Sequence, residues 1–158
     1  MLDESLGRLI AIELNEIDAL LKRSAEMLAT PNDAEPSFER LAALSQVLTS
    51  FYTGLERIFE RIARQLDQAL PEGERWHIQL LNQVARPTGN REALISDASR
   101  QRLRDYLAFR HRSRHPYAHH LEWHGMKHLV AQMQETWVTV RLELERFTQY
   151  HTSTGNGE

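Results

Sequence analysis

The sequence predicts an all-α, antiparallel bundle of four or five helices, and three observations carry that expectation. Leu41, Leu44, Leu48, Phe51, Leu55, Ile58 and Ile62 step by alternating threes and fours, the interval at which side chains return to one face of a helix. Met126, Leu129, Met133, Trp137, Val140, Leu144 and Phe147 keep a similar interval near the C-terminus. No stretch alternates as a half-buried strand would, and short breaks bearing Pro or Gly separate the periodic segments. With 158 residues, 41% hydrophobic and 26% charged, the chain fits one globular domain over residues 1–150 and a disordered tail over 151–158.

The first helix is expected from Leu2 to about Leu28, with Leu6, Leu9, Ile10, Ile17, Leu20, Leu21 and Leu28 on one face and acids between them. Thr30 to Ser37 holds two prolines and several cap formers, so it reads as a loop closing on Ser37 as N-cap, with Arg40 where a capping box would place Glu. The second helix carries a further apolar row, Tyr52, Phe59, Ala63, Leu66 and Leu70, and is expected to end before Pro71. Two rows exceed what one seam needs, which predicts a homodimer burying part of that surface. Trp76 to Val84 is a shorter helix with Ile78, Leu81 and Val84 inward, set between breaks at Pro71-Glu72-Gly73 and Arg86 to Asn90. Ser96-Asp97-Ala98-Ser99 opens the next helix, which runs through Leu103, Tyr106, Leu107 and Arg110. Pro116 disfavours helical geometry at His115, so this helix should stop at about Arg114. The last helix follows Gly125.

Several classes are excluded by composition. No apolar run approaches the roughly 20 residues of a membrane span. The acidic start Met1-Leu2-Asp3-Glu4-Ser5 lacks the basic and apolar regions of a signal peptide. There is no cysteine, hence no disulfide or thiolate metal site, and a cytoplasmic home is expected. The net charge of −3 divides unevenly: residues 1–60 hold 5 Lys/Arg against 11 Asp/Glu, whereas Ser96 to His128 holds seven cations against three acids. Six of those seven are arginines, whose planar fork grips phosphate at two points.

The chemistry concentrates in Arg110-His111-Arg112-Ser113-Arg114-His115-Pro116-Tyr117. A fixed cation, a group titrating near neutrality and a phenol meet there at a helix end. On an unbroken helix Arg110 and His115 would point about 140° apart. With the helix ended before Pro116, the imidazole can fold back beside the guanidinium. The pair then suits metal-free cleavage of an RNA phosphodiester: His115 takes the 2′-hydroxyl proton and Arg110 stabilises charge on the phosphoryl oxygens. The products are a 2′,3′-cyclic phosphate and a 5′-hydroxyl. Such cleavage also needs an acid for the leaving oxygen. A second copy of the motif across a dimer axis would supply one, and His111 is the alternative within one chain. Arg112, Arg114 and Lys127 are the candidate RNA contacts, with Trp123 the candidate stacking platform; Trp76 and Trp137 read as core.

Arg110-x4-His115-x-Tyr117 resembles the signature of the HEPN superfamily, and within it that of HepT-like toxins of bacterial HEPN–MNT toxin–antitoxin pairs, in which MNT is a minimal nucleotidyltransferase. The similarity extends over the helical pattern from about Leu41 to Phe147. It implies a dimeric all-α bundle and a ribonuclease toxin of a type VII-like system, with Arg110 and His115 catalytic and no cofactor. In that family the residue after the arginine is usually Asn, Asp or His, which makes His111 the supporting polar residue. It also implies that the nucleotidyltransferase antitoxin adds AMP to Tyr117, placing anionic bulk beside the cleft so that RNA is repelled and blocked.

Two rival readings stand beside this one. His111, His115 and His119, and again His120, His124 and His128, are spaced by four as metal-binding histidines on a helix can be, although Pro116 and Gly125 interrupt both series and no metal is expected. Alternatively the chain is a catalytically silent helical module that partners a nucleotidyltransferase without cutting RNA; expression then causes no growth arrest.

Overall fold

The computed structural model describes residues 2–29, 34–114 and 117–153. Six α-helices are present among them, α1 (Glu4–Arg23), α2 (Ala25–Leu28), α3 (Phe38–Ile62), α4 (Trp76–Val84), α5 (Asp97–Arg112) and α6 (Lys127–Ser153), with two short 3₁₀ turns between α5 and α6. No strand occurs among the described residues, only an isolated bridge between Thr88 and Arg91. The all-α bundle read from the periodicity is therefore what forms, and no helix among the described residues is long and apolar enough to cross a membrane.

The N-caps follow the local chemistry. The Asp3 side chain accepts from the Leu6 amide at 2.6 Å, Ser37 from Arg40 at 3.3 Å and Ser96 from Ser99 at 3.1 Å, each satisfying one of the donors a helix start leaves open. The expected single first helix is instead two: at Ser24 the backbone turns to φ −93°, ψ 2°, and α2 adds one more turn. The loop expected from Thr30 falls partly on residues 30–33, outside the described residues.

Helix α3 packs against α1, α4, α5 and α6 and forms the centre of the core. Both of its apolar rows are consumed there: Leu44, Leu48, Phe51, Leu55, Ile58 and Ile62 from one, Tyr52, Phe59 and Ala63 from the other, are fully buried. This removes the reason given for a dimer, because the chain covers that surface itself. The large apolar side chains left exposed lie elsewhere, among them Val138 and Leu142, one turn apart on α6. Helices α1 and α3 approach closely at Gly54, where an added Cβ would lie 3.0 Å from Cγ1 of Ile17.

Two helix ends differ from expectation. After Ile62 the chain widens into a π-helical turn, Ala63–Asp67, and leaves it through Gln68 at φ 52°, before the expected end at Pro71. The cause is Asp67, drawn into a two-point ion pair with Arg91 at 2.7 Å and bonded by the Gln83 amide at 2.6 Å. At the C-terminus α6 continues through His151 to Ser153, past the boundary expected at 150; His151 is buried against Phe147 with ring centres 4.4 Å apart. Residues 154–158 of the expected tail lie outside the described residues. Helix α4 spans the residues expected, and α5 stops at Arg112, where the Ser113 amide bonds back to the Phe109 carbonyl at 2.8 Å.

Candidate functional site

Helix α5 buries Leu103, Tyr106 and Leu107, so Arg110, one turn further on, falls on the same inward face and is only 7% exposed. A guanidinium in that position requires partners, and α3 provides them. Arg110 Nη2 donates to both carboxylate oxygens of Glu56 at 3.0 Å, and Nη1 to Thr53 Oγ1 at 3.2 Å. The Tyr52 ring lies beneath the guanidinium, 4.9 Å from its carbon, as in a cation–π pair. Burial drives the Tyr52 phenol far above its ordinary pKa, the Glu56 carboxylate adding and Arg110 opposing. Tyr52 therefore stays neutral and works as a platform.

The third partner comes from the first turn of α4. His77 places Nδ1 2.8 Å from Glu56 Oε2 and 3.1 Å from Arg110 Nη2, with its ring stacked on Trp76 at 3.7 Å. An ionised carboxylate only accepts, so a hydrogen on Nδ1 makes Arg110 and His77 two donors converging on one carboxylate, and leaves the 3.1 Å approach of Arg110 Nη2 to Nδ1 a contact between donors. Glu56, His77 and Arg110 thus form one buried knot joining α3, α4 and α5.

Two hollows border this knot and a third adjoins one of them. One of about 450 Å³ is lined by Thr49, Thr53, Glu56, His77, Arg110 and Arg114. A second of about 710 Å³ shares Ser45, Gln46 and Ser113 with the first and continues to Arg112, Tyr117 and His120. A third of about 310 Å³, also walled by His77 and Arg110, includes Arg104, His111 and Arg114. Neighbouring hollows share walls, so they read as one grooved face, with Arg110 in two of them and further arginines in all three.

The residues singled out from the sequence divide accordingly. Arg110, Arg112, Arg114, His111 and Tyr117 all border this groove. Tyr117 is 59% exposed, its ring 5.5 Å from His119 and 5.8 Å from His120. His115, together with Pro116, lies outside the described residues. Lys127 opens α6 and is not among the residues lining these hollows. Trp123 departs from its expected role as a stacking platform: it is 7% exposed and packs in the core. Among the described residues no group of three or more His, Asp or Glu could hold a metal ion.

Sequence reasoning missed Glu56 and His77. Glu56 had a readable signal, because Tyr52, Glu56, Phe59, Ala63 and Leu66 step by 4, 3, 4 and 3. The carboxylate occupies a core position of the second apolar row, and a buried carboxylate calls for a cation. His77 had none, being one polar residue on a short helix.

A family model described as HepT-like protein matches residues 43–151, from the early turns of α3 to the end of α6. No curated protein and no solved structure matches the chain.

Proposed function

The chain belongs to the HepT-like family, and from that premise we propose that it is a metal-independent endoribonuclease toxin neutralised by a nucleotidyltransferase antitoxin. The observation that carries the reading is Arg110, buried at the floor of an arginine-lined groove and anchored by Glu56. A preorganised cation of this kind stabilises charge developing on a phosphoryl group with little reorganisation. His115, five residues on, takes the 2′-hydroxyl proton. The new bond joins the 2′-oxygen to phosphorus, the bond to the 5′-oxygen breaks, and Arg112 and Arg114 hold flanking phosphates. Two copies acting as a homodimer would widen the groove into a shared cleft.

The exposure of Tyr117 supports the regulatory half of the proposal. A modifying enzyme needs an accessible phenol, and the hollow beside Tyr117 shares walls with the Arg110 pocket. AMP attached there extends a phosphate and a base into the groove RNA would occupy. The test is intact-protein mass after co-expression with a candidate nucleotidyltransferase antitoxin, together with metal-free cleavage of RNA by wild type and His115→Ala. The expected outcome is added mass in whole AMP units at Tyr117 and cleavage by unmodified wild type alone.

The Arg110–Glu56 ion pair also favours a second reading, in which the arginine ties α3 to α5 and the protein is a silent partner of the nucleotidyltransferase. Growth arrest on expression, relieved by Arg110→Ala or His115→Ala, separates the two: a silent module arrests nothing.

A further inference from the structure

We infer that His77, held by Glu56, is the general acid that completes RNA cleavage within a single chain, donating a proton from Nε2 to the departing 5′-oxygen. This rests on the ribonuclease reading above and adds to it the proton donor that Arg110 and His115 leave unassigned.

The argument begins with the ring's orientation. Nδ1 of His77 is turned inward, 2.8 Å from Glu56 Oε2, which places Nε2 on the side of the ring facing away from the Glu56 carboxylate. A histidine whose Nδ1 hydrogen is fixed by a carboxylate has one nitrogen left for chemistry, and the carboxylate fixes the orientation of the ring. The position is also fixed from behind, since the ring stacks on Trp76 at 3.7 Å. His77 is half-buried, its side chain 25% exposed, and it borders two of the hollows that meet at Arg110. A phosphate bound at Arg110 would therefore have this imidazole beside it.

The step balances without a co-reactant. His115 removes the 2′-hydroxyl proton, the 2′-oxygen forms its bond to phosphorus, and the bond from phosphorus to the 5′-oxygen breaks. The electron pair of that bond takes the proton from His77, leaving the imidazole neutral. Proton exchange with water resets both histidines after the products leave. Glu56 from α3 and Arg110 from α5 touch His77, and Arg104 and His111 of α5, Arg114 just beyond it, and Glu74 and Arg75 from the turn before α4 line the same hollow. The acid thus works beside cations that also gather the substrate.

The experiment compares an ordinary RNA oligonucleotide with one in which sulfur replaces the 5′-oxygen at the scissile bond, because a thiolate leaves without being protonated. Wild type and His77→Gln are assayed on both, free of metal and across pH, with folding of the variant verified by its melting curve. His77→Gln is expected to cleave ordinary RNA about 10²-fold or more slowly, to lose the alkaline limb of the pH–rate profile, and to match wild type on the sulfur substrate. Equal slowing of His77→Gln on both substrates, or no slowing on either, overturns the inference while leaving the ribonuclease reading intact. Wild type inert on both substrates overturns the ribonuclease reading, and the inference with it.

Discussion

Arg91 and Arg110 are both buried arginines, and they are held in opposite ways. Arg91 is closed: Nε and Nη2 grip the two oxygens of Asp67 at 2.7 Å, Nη1 donates to the carbonyls of Arg86 and Glu92 at 2.9 and 3.0 Å, and Nη2 also reaches the Gln83 carbonyl at 3.4 Å. All five donors of the guanidinium are occupied, and its side chain is 0% exposed. Arg110 is open. One nitrogen, Nη2, faces both oxygens of Glu56 and Nδ1 of His77, Nη1 reaches Thr53, and no bond leaves Nε among the described residues. The pairing is end-on, without the fork-to-fork match seen at Arg91, and the side chain borders two hollows. Burial alone therefore does not distinguish a structural arginine from one able to take a ligand; donor occupancy does.

The sharpest test removes each cation in turn. Arg91→Met leaves the Asp67 carboxylate, 4% exposed, buried without its cation, a loss of about 3–5 kcal/mol by denaturant unfolding. Arg110→Met leaves Glu56 its contact with His77 and a groove that admits water, so about 1–3 kcal/mol is expected. Cleavage should be abolished in this second variant. Equal losses of stability would erase the distinction between the closed and the open arginine.

Removing the anion together with the cation sharpens the comparison further. Asp67→Leu combined with Arg91→Met should recover stability to within about 1 kcal/mol of wild type, since an apolar pair often replaces a buried ion pair at little cost. Cleavage should be nearly unchanged. Glu56→Gln with Arg110→Met should recover stability similarly yet remain inactive. Recovered cleavage in that double variant would make Arg110 a fold element and move the charge stabilisation of cleavage to other residues.

These contrasts also show what the sequence could and could not convey. Periodicity placed α4 at its observed ends and identified Ser37 and Ser96 as caps, because those signals are local. Arg110 was singled out from its neighbours in the chain. Its partners are 54 and 33 residues away, and pairing at that distance is decided by how helices dock. Glu56 was hidden by being read as a gap in an apolar row. Arg91 carried no signal beyond its charge, and the π-helical turn that Asp67 makes to reach it follows from the same undetected pair. The two apolar rows of α3 carry no argument for a dimer, because α3 is surrounded by its own chain; exposure, which decides such matters, is not written in periodicity.

The smallest expected effect concerns a third buried ionisable group, one with neither kind of partner. His151 is 7% exposed, and its Nε2 has no hydrogen-bond partner among the described residues. Burial holds its pKa below the ordinary 6.5. In the unfolded chain the imidazole takes up a proton as pH falls through 6.5, while the folded protein resists it. The unfolded state then binds more protons, so stability falls toward acid and is unaffected well above that value. His151→Leu should keep the apolar contact with Phe147 and flatten the acid side of the stability curve without altering the alkaline side. Melting curves of wild type and variant across pH 5 to 8 would measure this. An unchanged acid slope would mean that His151 is satisfied in solution, and that burial without a partner does not describe it.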